Sequence, residues 1–167
     1  MSYIESNLLT DEKLVYCVTP HWVIFSSGAG MILLALIAAF YPSSILSLQI
    51  IDEFTLREIA FILFALTGIY WLVQAYIYFV TSEYGVTNKR VLIKTGWIER
   101  NSLELLLDKV EGVLVDQSLL GRVLNYGSIS VIGTGGTKDT FPFIPDPLLF
   151  RRMAQEQIAL FERELRS

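Results

Sequence analysis

Two long apolar runs open the pattern, and a change of period follows them. Trp22 to Tyr41 is 20 residues without a charge, and Ile59 to Val80 is 22 more. At about 1.5 Å of rise per residue, each run as a helix spans the roughly 30 Å hydrocarbon core of a bilayer. They predict a hairpin of two transmembrane helices. Small residues fall early in the first run (Ser26, Ser27, Gly28, Gly30) and midway along the second (Thr67-Gly68). Such residues let helix backbones approach closely. Pro42-Ser43-Ser44 reads as a helix stop, and the short apolar stretch to Ile51 reads either as an interfacial segment or as more helix. His21-Trp22 opens the first run, while Tyr70, Trp71, Tyr76 and Tyr78 fill the second half of the other. Trp and Tyr favour the headgroup level, which puts both groups at the same membrane face.

From Tyr84 the alternation has period two. Val91, Ile93 and Thr95 form one face, as do Leu103, Leu105 and Leu107, then Val113 and Val115, Ile129 and Val131, Phe141 and Phe143. Trp97 to Arg100 starts a further run. Turn signals at Thr87-Asn88-Lys89, Asn125-Tyr126-Gly127 and Gly133 to Lys138 separate short strands, the pattern of an antiparallel barrel or sandwich. Pro145 and Pro147 flank Asp146, a cap followed by proline in a first helical turn. Phe150, Ala154, Ile158, Phe161 and Leu165 then recur at helical spacing, with Arg152, Gln155, Glu156 and Arg163 opposite. One amphipathic helix therefore closes a β-rich domain. The expected organisation is an N-terminal segment (1–20), a two-helix hairpin (21–80) and a β-domain (81–167).

Charge adds orientation. Of the 167 residues 18% are charged, below the usual quarter or so of a soluble domain. Lys89, Arg90, Lys94 and Arg100 follow the second run closely and Lys13 precedes the first, whereas the connecting loop offers Arg57 among Asp52, Glu53 and Glu58. Basic residues stay on the cytoplasmic side. Both termini are expected there, in a multi-pass protein of the bacterial inner membrane. A cleaved signal peptide fits poorly, since the leader carries Glu5, Asp11 and Glu12 against Lys13 and the apolar run is too long. The net charge of −4 and the lack of a basic tract argue against nucleic acid. Cys17 and His21 are the sole cysteine and histidine, so no intrachain disulfide, thiolate metal cage or ordinary Ser-His-Asp arrangement is expected.

Tyr84 to Gly96 (YGVTNKRVLIKTG) and Leu105 to Val131 (LLLDKVEGVLVDQSLLGRVLNYGSISV) resemble the bacterial pleckstrin-homology (PH) domain family. Gly133 to Pro147, with its GTGGT and FPFIPDP, is similar to a membrane-anchored subgroup in which a segment ending in His-Trp precedes two transmembrane helices. The resemblance covers nearly the whole chain. It implies an α+β PH-like domain: a bent antiparallel sheet or barrel of about seven strands capped by a C-terminal helix. Phosphoinositide-binding eukaryotic PH domains carry a Lys-x-(Lys/Arg)-x-Arg cluster near the first hairpin. The spacing of Lys89, Arg90, Lys94 and Arg100 departs from it, so that activity is not carried over.

The candidate functional residues are few. Lys89, Arg90, Lys94 and Arg100 are the candidate membrane-surface contact, because a basic residue near an anionic leaflet contributes about 1 kcal/mol; the other reading is that Lys89, Arg90 and Lys94 only fix topology and are otherwise solvated. Gly135, Gly136 and Lys138 form a loop for partner contact. That loop lacks the spacing of a phosphate-cradling motif and reads chiefly as a flexible hairpin turn. Arg122 reads as ordering a turn. Asp108, Glu111 and Asp116 do not share a strand face and read as surface charge. Thr67 and Gln74, inside the second run, are expected to hydrogen-bond across helices. The spans contain no ionisable group of the kind that marks a transport path. With Thr81-Ser82-Glu83 as the whole connection, the stretch from Lys89 to Arg100 is expected to face the bilayer or a membrane partner, leaving the Gly133–Lys138 loop or the helix from Asp146 free.

These features favour a non-catalytic, membrane-anchored interaction module that associates with itself or with another membrane protein. A sensor of anionic lipid headgroups is the alternative, and a transporter or enzyme subunit is remote. No cofactor, metal or small-molecule substrate is implied.

Overall fold

The computed structural model describes residues 3–41, 49–51, 54–96 and 101–164. The chain divides into two compact units, Trp22–Ile77 and Met1–His21 with Tyr78–Ser167.

The first unit is a helix pair. A 3-10 turn, Trp22–Phe25, leads into α1 (Ser26–Phe40), and α2 runs from Leu56 to Thr81. Both are long and apolar enough to cross a membrane, over Trp22–Phe40 and Leu56–Thr81. α2 starts at a reciprocal cap: the Thr55 N–H donates to Glu58 Oε2 at 2.9 Å, and the Glu58 N–H reaches Thr55 Oγ1 at 3.5 Å. Ahead of it, Gln49–Ile51 pairs antiparallel with Phe54–Thr55, so the end of the stretch left open above is a strand. Pro42-Ser43-Ser44 lies outside the described residues.

Two glycines set the approach of α1 and α2. A Cβ on Gly28 would sit 2.7 Å from Leu72 Cγ, and one on Gly68 would sit 2.7 Å from Ile32 Cδ1. Ser26, Ser27 and Gly30 are exposed and take no part, because they point around the helix from Gly28. Thr67 and Gln74 are exposed too, so they do not bridge the pair.

The second unit holds seven strands in two antiparallel sheets. The first sheet has β1 (Leu14–Val18), β2 (Glu83–Thr87), β3 (Arg90–Thr95) and β4 (Asn101–Leu106), side by side in that order. The second has β5 (Val110–Asp116), β6 (Tyr126–Gly133) and β7 (Lys138–Pro145). A short helix, α3 (Leu119–Leu124), joins β5 to β6, and α4 (Pro147–Glu164) closes the domain. Tyr84, Val86, Val91, Ile93, Val113, Ile129, Val131 and Ile144 meet Phe150 and Ala154 of α4 in one core.

The strand count has an unexpected source. β1 precedes the helix pair in sequence and pairs with β2, which follows it, with Cys17 opposite Gly85 and Val18 opposite Tyr84. The helix pair is therefore an insertion between the first two strands. The N-terminal segment is part of the β-domain rather than a separate leader. It also covers the outer face of the first sheet: Ile4 is 2% exposed and lies over Gly85, whose Cβ would come within 2.8 Å of Ile4 Cδ1. This second cover explains why β2 and β3 are buried continuously instead of alternately.

The alternation read at the end of the chain is also shifted. A bulge between Gly127 and Ile129 passes their partners from Ile144 to Phe141, and Phe143 adopts φ 60°. Ile144, not Phe143, then joins Phe141 at the core. Trp97 to Arg100 and Leu165 lie outside the described residues.

Candidate functional site

A buried ionic clamp ties the N-terminal segment to the first sheet. Glu12 and Arg90 are each 7% exposed. Arg90 Nε donates to Glu12 Oε1 at 2.9 Å and Nη2 to Glu12 Oε2 at 2.9 Å. Nη1 bonds Glu104 on β4, and Nη2 also reaches the Asn7 carbonyl at 3.0 Å. Glu12 further accepts the Leu9 N–H at 2.7 Å and the Thr87 hydroxyl at 2.8 Å. Burial opposes ionisation of this carboxyl, but the Arg90 hydrogen bonds, the Leu9 N–H and the Thr87 hydroxyl outweigh it and hold Glu12 below its usual range. The carboxylate in turn raises Arg90 against the opposing effect of burial.

The basic residues singled out by sequence therefore separate. Arg90 holds the fold together, buried and committed to these partners rather than to a membrane surface. Lys89 donates from Nζ to the Thr10 carbonyl at 2.8 Å. It also sits at the end of the first sheet opposite the chain's entry to the helix pair: the five residues of β2 carry the chain about 16 Å from Glu83 before this turn. The tether is short, as expected, but the strand after it leads away. Lys94, opposite Glu83, is back at the entry end and half-buried. Arg100 lies outside the described residues.

Gly135 (φ 105°) and Gly136 (φ 80°) turn the exposed β6–β7 loop, as their residue type suggests. The Thr134 N–H donates to the Lys109 carbonyl at 2.8 Å, and the Leu107 N–H to the Lys89 carbonyl at 3.1 Å. The loop, with exposed Lys138 beside it, thus lies with Lys89 at the end away from the chain junctions.

The junction end is built from aromatic residues. The His21 N–H donates to the Phe143 carbonyl at 2.6 Å, and the His21 ring stacks on Tyr126 at 5.3 Å between centroids. Burial pushes the imidazole below 6.5, opposed by a hydrogen bond with the Leu124 backbone. On the returning chain, the Tyr78 and Tyr84 hydroxyls lie 2.9 Å apart, and Tyr84 reaches the Pro142 carbonyl at 3.4 Å. Burial, reinforced by the neighbouring Tyr78 hydroxyl, drives the Tyr84 phenol well above its ordinary value. The bulged FPFIP strand is therefore the piece that receives both chain crossings.

A cleft of about 600 Å³ lies beside this junction, lined by Tyr78, Thr95, Ser102, Leu103, Asp139, Thr140, Phe141 and Pro142. Its polar groups are hydroxyls and one carboxylate. No Lys or Arg is among the described residues that line it, so its chemistry suits neutral hydrogen-bonding groups better than phosphate. Among the described residues no cluster of His, Cys, Asp and Glu has metal-binding form. Sequence reading misses Glu12, Glu104 and the cleft because each joins residues distant in the chain without a local motif, 78 positions apart for Glu12 and Arg90. It also reads Arg122 as a turn former, whereas the turn is made by Ser118 capping the Gly121 N–H and Asn125 in the left-handed region.

A four-plus-three arrangement of antiparallel strands closed by a C-terminal helix is a PH-like fold. The bacterial PH domain family model matches residues 32–158, and the chain belongs to that family. No curated protein matches the sequence. Among solved structures, the Vps36 N-terminal PH domain is similar at 18% identity over 52% of this chain and 65% of that one, with a TM-score of 0.38. The chain thus spans slightly less than two thirds of that structure. A DUF1696 family protein with a pleckstrin-homology domain from Shewanella loihica PV-4 is similar at 14% identity over 50% and 72%, with a TM-score of 0.36. Family membership gives the fold and assigns no activity.

Proposed function

We propose that this protein is a membrane-anchored PH-like interaction module, held at the cytoplasmic face by its inserted helix pair and acting through assembly with itself or another membrane protein. One observation carries the reading: the two apolar helices are mostly uncovered. Only 22% and 11% of their apolar windows are buried within the chain. A soluble core helix would be largely enclosed, and a lone exposed apolar surface of this size requires lipid or protein around it. Because the pair is inserted between β1 and β2, both of its ends return to one folded domain, which supports a hairpin with both termini on one side. The basic residues favour the cytoplasm for that side.

The headgroup-sensor alternative loses Arg90 to the clamp and Lys89 to the far end, leaving Lys94 near the junction. Interaction through the exposed far loop, Gly135, Gly136 and Lys138, is the better-supported mode. Labelling of single cysteines at Gly136 and Glu53 in intact cells and inverted vesicles tests the anchor. Gly136 should react from the cytoplasmic side and Glu53 from the other; the same side for both would refute the hairpin. Native mass spectrometry of the full chain from mild detergent tests assembly, and a strict monomer without co-purifying protein would refute it.

A further inference from the structure

The short helix α3 is poorly explained by the fold that carries it. Leu119 is 82% exposed, Leu120 68% and Val123 81%. These are the most exposed large apolar side chains among the described residues of the β-domain, gathered on six residues. The helix is nevertheless firmly built. Ser118 Oγ accepts the Gly121 N–H at 3.1 Å, Asn125 ends the helix with φ 57°, and Gly121 packs so closely that a Cβ would meet the Tyr126 carbonyl at 2.6 Å. A rigid frame thus presents apolar residues outward. Its position is given by His21, which stacks on Tyr126 and hydrogen-bonds the Leu124 backbone. His21 is the last residue before the first span begins at Trp22. The end of α3 is therefore one residue, by chain connection, from the point where the chain enters the apolar helix.

We infer that α3 is a second membrane contact, lying in the headgroup–acyl boundary of the same leaflet that the first span enters. This rests on the membrane-anchored reading above. The occupant is lipid because the covalent neighbour of His21 is Trp22, a residue type that favours this depth. Leu119, Leu120 and Val123 supply the buried face and Arg122 the headgroup contact, the composition of an interfacial helix. The contact fixes the domain at three points: both crossings and α3. It also supplies a basis for membrane docking that the basic residues of the first hairpin do not.

The test uses the full chain with Cys17→Ser and single cysteines at Leu119, Val123, Gly136 and Leu66, each labelled with NBD in nanodiscs of mixed neutral and anionic lipid. Lipids bearing a doxyl quencher near the headgroup should remove most of the fluorescence at 119 and 123 and leave 136 unchanged. Deep-acyl doxyl lipids should quench 66, which reports the span itself. Quenching at 66 without quenching at 119 and 123 overturns this inference and leaves the anchor standing. Absence of quenching at 66 overturns both. Labels at 119 and 123 shielded from aqueous iodide but not quenched by lipid would assign α3 to a protein contact, and would also overturn it.

Discussion

Replacing Glu12 with alanine removes four hydrogen-bond acceptor contacts from a buried site: the Leu9 N–H, the Thr87 hydroxyl, and Arg90 Nε and Nη2 all lose their partner. Removing one member of a buried ion pair costs about 3–5 kcal/mol, mostly because a charge is stranded. Here Arg90 keeps Glu104, which is 48% exposed, and the Asn7 carbonyl, so the lower bound of about 3 kcal/mol applies. The clamp holds the segment that ends in β1, and among the described residues β1 is an edge strand joined to β2 alone. The loss should appear as local opening of β1 rather than global unfolding. At about 1.4 kcal/mol per tenfold, exchange of the Leu14–Val18 amides should accelerate on the order of 100-fold. Hydrogen–deuterium exchange of the full chain in nanodiscs measures it. The double variant Glu12→Leu with Arg90→Leu should return most of the protection, since a buried pair replaced by apolar groups is often neutral. A Glu12→Ala variant with wild-type exchange across β1 would refute the clamp.

The same carboxylate makes the strap sensitive to acid. Its folded pKa lies below the ordinary 4.5, so the contribution is complete above pH 4.5 and is lost as pH falls below it; β1 exchange, corrected for intrinsic rate, should rise only in that acid range. Gly28→Leu and Gly68→Leu should force α1 and α2 apart and shorten the thermal half-life in detergent, while Gly30→Ala, with nothing within 4 Å, should match wild type. Equal effects at positions 28 and 30 would count against the close approach. Gly121→Ala should cost about 1–3 kcal/mol through its clash with the Tyr126 backbone, and Gly112→Ala, in open space, much less; calorimetric unfolding compares the two.

Several parts of this molecule are legible in the sequence for clear physical reasons. The two long helices follow from uncharged apolar runs, and hydropathy needs no partner to be read. Strands β5 and β6 and helix α4 show through their periods, because each presents one face to a single core. Legibility ends where tertiary structure overrides the local pattern. Leu14 to Val18 does not read as a strand of the domain, since its partner lies across the inserted helices at Glu83–Thr87. Arg90 looks like surface charge because the residue that neutralises it is Glu12, 78 positions away. Phe143 looks like core because alternation assumes a regular ladder, and the bulge breaks it. The basic cluster divides for a similar reason: one strand carries Lys89 to the far end of the first sheet, while Lys94 returns to lie opposite Glu83.

The insertion of the helix pair between β1 and β2 bears on how the chain is made. β1 leaves the ribosome before its partner β2, which is synthesised after both hydrophobic helices. In a membrane-inserted chain, strand pairing then waits until the second helix has crossed. A hairpin that stalled with one crossing would leave β1 and β2 on opposite sides of the bilayer, with Glu12 unable to reach Arg90. In such a chain, closure of the domain would require correct threading: only with both helices across can β1 pair with β2 and Glu12 meet Arg90. For the same reason a fragment starting at residue 81 would lack a strand of its own sheet.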